Sequence, residues 1–177
     1  MTDYLLLFLT DIVLGFMLQA IGYAVCLYTF VNKRIDSKDF VITSVIYSLI
    51  AVAIRFAYDI NLINFGFHTI VIWLIYLLVA IFFNKLPAIK STISICVSGI
   101  IITFTEILTV IVMTARLGSE RFDQIMNNTT TIDGQIQKAI YGIPANILFL
   151  VIVFVAYFIV KSKRSKAKIN VDENKNA

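Results

Sequence analysis

Apolar residues in this chain come in long stretches separated by short polar ones. A helix needs about 20 apolar residues to cross the hydrocarbon layer of a bilayer. Five stretches approach or exceed that length, running from about Tyr4 to Val31, Phe40 to Ala57, Phe67 to Phe83, Ser91 to Thr114 and Tyr141 to Val160. The first is long enough to tilt or to begin above the membrane, and the third is at the lower limit. Pro144 falls in the first turn of the fifth, where a missing amide costs little. The pattern predicts an all-α polytopic membrane protein of about five transmembrane helices. Its helical transmembrane domain covers 1–160, and a basic, disordered cytoplasmic tail, too polar to fold alone, covers 161–177. The N-terminus shows no basic region and no small-residue cleavage site, so the first stretch is expected to be an uncleaved span. Between the fourth and fifth spans, Ser119 is placed to cap a short helix through Glu120, Phe122, Ile125 and Met126. Asn127 to Thr131 should break that helix, and Asp133-Gly134 signals a turn.

Composition strengthens the membrane reading. The 177 residues are 59% hydrophobic and the mean hydropathy is +0.88, more apolar surface than a soluble domain of this size can bury. The net charge of +4 is unevenly placed. The first connection (Lys33, Arg34, Lys38), the third (Lys85, Lys90) and the chain end (Lys161, Lys163, Arg164, Lys166, Lys168, Lys175) hold 11 basic residues. The other side holds Arg116, Arg121 and Lys138. The positive-inside rule then puts the N-terminus outside and the C-terminus in the cytoplasm. An Ile/Lys/Asn bias suggests a bacterial plasma membrane. The basic tail abuts a span and carries no aromatic residues for base stacking, which argues against nucleic acid.

Four polar residues are stranded inside the apolar stretches: Asp11, Gln19, Arg55 and Glu106. A charge at the bilayer centre costs roughly 2.5–3.5 kcal/mol on insertion scales, so such residues face a bundle interior or a wet cavity. They belong to stripes of small or polar residues at steps of three or four: Asp11, Gly15, Gln19, Gly22, Cys26; Ser44, Ser48, Ala51, Arg55; and Thr92, Cys96, Gly99, Thr103, Glu106. Small residues let helices approach closely in lipid, so each stripe alone reads as a packing surface. Depth adds to this. Asp11, Arg55 and Glu106 all fall in the outward half, Glu106 roughly 12 Å below its helix end at 1.5 Å per residue. Two arrangements fit. Arg55 and the two carboxylates line an outward-opening pocket, or Arg55 snorkels to meet Asp59 at the surface.

Enzyme chemistry finds little footing. Cys26 and Cys96 have no paired spacing and read as helix-packing residues. His68 starts its span at the opposite end from Cys96, so the two do not share a catalytic surface. No HExxH, GxSxG or phosphate-binding loop occurs. Trp73, Tyr23, Tyr28, Tyr47 and Tyr76 are spread along the spans and read as packing residues and interface anchors rather than a cofactor box. No catalytic residue, metal or cofactor is expected.

The run Lys85-Leu-Pro-Ala-Ile-Lys90, the apolar helix reaching Thr105-Glu106-Ile-Leu, and Leu117-Gly118 with its outer segment resemble one family. It is the multi-span membrane sensor domain of accessory-gene-regulator-type (GHKL) receptor histidine kinases. The first span leading into Asn32-Lys33-Arg34 is similar too, and the resemblance extends to about Arg164. It implies reception of a secreted peptide, with Glu106 matching in type and place. The kinase part has no counterpart after Arg164, so what it implies here is a sensor-like module acting through a partner, or a decoy. By size, and by Ala20 and Ala24 four residues apart, the chain is also similar to substrate-binding subunits of energy-coupling-factor vitamin transporters. The expected function is therefore non-catalytic. A peptide or small molecule would bind from outside near Asp11, Gln19, Arg55 and Glu106, and a protein partner would read the result. A transporter subunit and a membrane-complex assembly factor are the alternatives.

Overall fold

The computed structural model describes residues 2–31, 36–59, 67–128 and 131–175, with side chains described for 3–31, 36–57, 67–128 and 131–164. Among these residues every regular element is a helix. The order is α1 (Thr2–Leu7), π1 (Phe8–Met17), α2 (Leu18–Val31), α3 (Ser37–Asp59), α4 (Phe67–Leu78), π2 (Val79–Phe83), α5 (Ala88–Leu117), α6 (Ser119–Asn127) and α7 (Ile132–Lys175). α1, π1 and α2 form one rod without a break, and so do α4 and π2. Four runs are long and apolar enough to cross a membrane: Asp3–Val31, Ser37–Ala57, Ala88–Leu117 and Ile132–Arg164. The helix Phe67–Phe83 is apolar but shorter, about 25 Å at 1.5 Å per residue.

The bundle is apolar on its outside as well as in its core. Large apolar side chains such as Leu49, Phe82, Ile100 and Phe104 are exposed on its outside, far more than a protein surrounded by water tolerates. Inside, small hydroxylated residues share the core with aromatic and aliphatic ones, Ser91, Ser94, Ser98 and Thr105 being fully buried beside Tyr47, Tyr76 and Phe149. This is the arrangement expected where lipid supplies the apolar surroundings and close backbone approach supplies the packing.

α2 is the centre. It packs against α3, α5 and α7, and Gly22 through Thr29 are buried without interruption, as a helix surrounded on all sides should be. The absence of a side chain at Gly22 is what admits α7. A methyl there would meet the Phe149 ring, with Cδ1 at 2.8 Å and Cζ at 3.0 Å. At the far end Arg164 Nη2 donates to the Thr29 carbonyl at 3.0 Å, satisfying a last-turn acceptor of α2 with a cation, the favourable sign there.

Several sequence expectations need correction. The tyrosines and Trp73 converge. Tyr47 and Tyr76 stack at 4.0 Å, and each phenol donates to the other's backbone carbonyl, at 3.0 and 2.8 Å. Tyr23 meets Tyr76 edge-on at 5.3 Å and accepts a hydrogen bond from Trp73 Nε1 at 2.8 Å. The packing part of the expectation holds and the interface part does not: this is a buried aromatic core that satisfies its own polar tips, with only Tyr28 of the five standing apart, bonded at 3.4 Å to Thr43.

The stripe of α5 is displaced by one residue. Thr92, Cys96 and Thr103 are exposed, while Ser91, Ser94, Ser98, Ile102 and Thr105 face the bundle. Both sets have helical spacing, and Gly99 belongs with either because the Trp73 indole lies against it. Periodicity gives the face but not its phase.

α7 begins nine residues earlier than Tyr141. Thr131 caps it, its Oγ1 accepting from the Gly134 amide at 3.1 Å, so Asp133-Gly134 forms a first turn. Gly134 is needed there because Asn128 lies where a side chain would be. Pro144 consequently sits in a helix interior and removes the amide that would bond the Ile140 carbonyl. The short helix α6 forms as expected, with Gly118 rather than Ser119 at its cap position. The backbone of α7 runs as helix to Lys175, across the boundary at 161.

Candidate functional site

π1 and the start of α2 carry Asp11, Gly15 and Gln19 at steps of four. α7 carries Gln135, Lys138, Gly142 and Asn146 at steps of three and four. These two stripes face each other across an open cavity of about 670 Å³. α3 closes it with Arg55 and α5 with Glu106. All four residues singled out from the sequence therefore line one space, although 95 positions separate Asp11 from Glu106. Its volume lies in the range of small-molecule sites.

The lower part of the first stripe does something else. Gly22 and Cys26 are buried in the core, and Cys26 Sγ lies 3.7 Å from the Ser94 carbonyl. The upper part lines the cavity and the lower part packs, so the packing and pocket readings divide one stripe between them.

Beside Gln19, a pair of amides ties α2 to α7. Gln19 Nε2 donates to Asn146 Oδ1 at 2.9 Å, and Asn146 Nδ2 reaches the Leu14 carbonyl at 3.4 Å. Interhelical polar pairs of this kind couple by about 0.6 kcal/mol on average, and up to about 1.7. A double-mutant cycle of Gln19→Leu and Asn146→Leu is expected to return a coupling near the upper value, since both amides sit in the bundle rather than facing lipid. Unfolding in mixed detergent micelles measures it, and a coupling of zero would show that the bond contributes nothing.

Above that pair lie four charges. Asp11, Arg55 and Lys138 are half-buried, and Glu106 is exposed at the cavity. Two carboxylates thus share the space with a guanidinium and an ammonium, for a formal charge of zero. Opposite charges lower one another's cost of leaving water, and an open cavity lowers it further. Asp59, the other partner considered for Arg55, lies outside the described side chains. His68 is not among the residues that line the cavity. Among the described residues no three His, Cys, Asp or Glu side chains cluster as metal ligands would.

The wall at Leu7, Thr10, Asp11, Gly15 and Phe16 belongs to or borders π1. Widened turns of this type are rare and recur at functional sites. Thr10 directs its hydroxyl back to the Leu6 carbonyl at 2.9 Å.

Lys138, Gln135 and Asn146 were missed by the sequence reading. Their signal was present in the 3-4-4 spacing of Gln135, Lys138, Gly142 and Asn146. Taking Asp133-Gly134 as a turn and Pro144 as a helix start left Lys138 in a loop and hid the stripe.

No protein-family model matches the chain, nor does any curated protein or solved structure.

Proposed function

We propose that this is a non-catalytic, sensor-like membrane protein that binds a polar ligand in the cavity and passes the event to a protein partner. One observation carries the reading: four polar residues, costly to place in apolar helices, come from three separate spans to one cavity. The balanced charges favour holding a ligand with polar ends over isolating a proton-transfer group. A ligand carboxylate would meet Arg55 and Lys138, and an amine would meet Asp11 and Glu106. The resemblance to histidine-kinase sensor domains points the same way, with a secreted peptide or small molecule as ligand.

The topology proposed is five spans, with Phe67–Phe83 as the short one, in a bacterial plasma membrane. The Tyr47–Tyr76 contact supports this by holding α4 against the middle of α3. The distribution of 11 basic residues against three supports an outside N-terminus. The cavity then opens outward.

Transmission has a mechanical basis. α7 touches α2 at three levels: Asn146 on Gln19, Phe149 on Gly22, and Arg164 on Thr29. A ligand that displaces the first contact tilts α7 about the second and alters the third. It must bind the two packings with different affinity.

Affinity purification of the tagged chain from native membranes in mild detergent tests this reading. A co-purifying kinase or regulator, lost or gained on Glu106→Gln, is expected. An ATPase with its membrane coupling subunit would instead make the cavity a transporter's substrate site. A large complex indifferent to Glu106→Gln would mark an assembly factor.

A further inference from the structure

The four charges of the ligand cavity are not equivalent. Asp11, Arg55 and Lys138 each interact with a neighbouring group of the protein. Glu106 lines the same cavity, yet among the described residues it accepts no hydrogen bond and forms no ion pair. Ionisable side chains inside membrane helices are costly and are almost always paired with one another or with backbone groups. A carboxyl group with no partner of its own in an open cavity calls for a cation from outside the protein.

Depth separates Glu106 from the cations. Arg55 lies four residues from the cavity end of α3 at Asp59, and Lys138 six residues from the cavity end of α7 at Ile132. Glu106 lies eleven residues from the cavity end of α5 at Leu117. At 1.5 Å per residue these are depths of about 6, 9 and 16 Å. Tyr23 supports the last of them. It stands one turn below Gln19 and is close enough to Glu106 for the two to interact electrostatically. Positive charge therefore sits near the mouth, and the unanswered carboxyl group lies roughly 7–10 Å further in. A guanidinium has five donors and an ammonium three, so the contacts Arg55 and Lys138 already make leave each able to take another acceptor.

We propose that the ligand is a long zwitterion that enters amine-first, its ammonium held by Glu106 at the base of the cavity and its acid group by Arg55 and Lys138 near the mouth. This rests on the reading of the cavity as a ligand site, and adds the class of ligand and its direction. An α-amino acid, whose amine sits beside its acid, cannot reach both ends.

The test is equilibrium dialysis of radiolabelled probes against the full chain in lipid nanodiscs, with empty discs as the blank. 8-Aminooctanoate spans the required distance when extended. 2-Aminooctanoate has the same atoms with the amine beside the acid, and octanoate and octylamine each carry one end alone. 8-Aminooctanoate is expected to bind at least about tenfold more tightly than each of the other three, in keeping with one more charge-assisted contact. Glu106→Gln should bring it down to the level of octanoate without weakening octanoate. Lys138→Gln should lower it toward octylamine without weakening octylamine. The two variants then lose opposite ends of the ligand, a pattern that general misfolding does not produce. Equal binding of 8-aminooctanoate and octanoate would overturn the proposal, because Glu106 would need no cation. Equal binding of 2-aminooctanoate would overturn it too, by placing both ends of the ligand at one level. So would the absence of binding by all four probes. If the probes fail while a thiol introduced by Gly142→Cys still reacts from outside, the class of ligand is wrong and the cavity reading stands; if that thiol is also unreactive, both fall.

Discussion

Arg55→Ala is expected to destabilise the bundle by about 2–3 kcal/mol, somewhat less than the 3–5 kcal/mol typical when one partner of a fully buried ion pair is removed. The reduction reflects the open cavity, which lets water reach the groups left behind. The informative part is the compensation. Without Arg55 the cavity holds Asp11 and Glu106 against Lys138 alone, one negative charge in excess. Adding Glu106→Gln restores balance, so the double variant should recover a substantial part of the loss. Adding Asp11→Asn as well leaves Lys138 uncompensated, and stability should fall again. A non-monotonic series is the signature of four charges sharing one space. Unfolding in mixed micelles reads it directly, and losses that simply add would sink the shared cluster.

Gly22→Ala is the second large effect expected. Its new methyl would enter the Phe149 ring. Phe149 is itself fully buried, with Tyr23 against one side, so the ring has nowhere to go. Overpacking of this kind costs about 1–3 kcal/mol. Pairing it with Phe149→Leu should recover part of the loss, since the smaller side chain vacates the place the methyl takes. The contact is also the level about which α7 is proposed to tilt, so the rescued double variant should fold yet respond weakly at Arg164. Absence of rescue would mean that the cost of Gly22→Ala arises elsewhere than at Phe149.

The apolar helices were legible in the sequence because hydrophobic run length is a direct statement about solvent. Even the short helix Phe67–Phe83 has the bounds its residues suggest. The convergence of Asp11, Gln19, Arg55 and Glu106 was foreseeable for a related reason: isolated polar groups in apolar helices have few places to go. Phase was less accessible. In α5, serines at 91, 94 and 98 and the polar residues at 92, 96 and 103 have the same period, and only the neighbouring helices decide between them. The start of α7 was hidden by local chemistry with two meanings. Asp133-Gly134 suits a turn as well as a capped first turn, and Pro144 suits a helix start as well as an interior position whose lost bond the surroundings tolerate. Lys138 and Asn146 went unrecognised with it. The aromatic core was not visible because its members, spread over three helices, meet only after folding.

The central claim is that the space between π1, α3, α5 and α7 is a water-filled cavity open to the outside. Gly142 allows a direct test, because it lines the cavity and a side chain there meets nothing within 4 Å. Gly142→Cys, in a chain whose exposed Cys96 is replaced by alanine, is treated in intact cells with a membrane-impermeant maleimide. Ile147→Cys, on the apolar outside of the same helix, is the control. Rapid labelling of Gly142→Cys from outside, with Ile147→Cys inert, is the result predicted. A thiol at 142 that stays unreactive, or that reacts only after the membrane is permeabilised, would contradict the account.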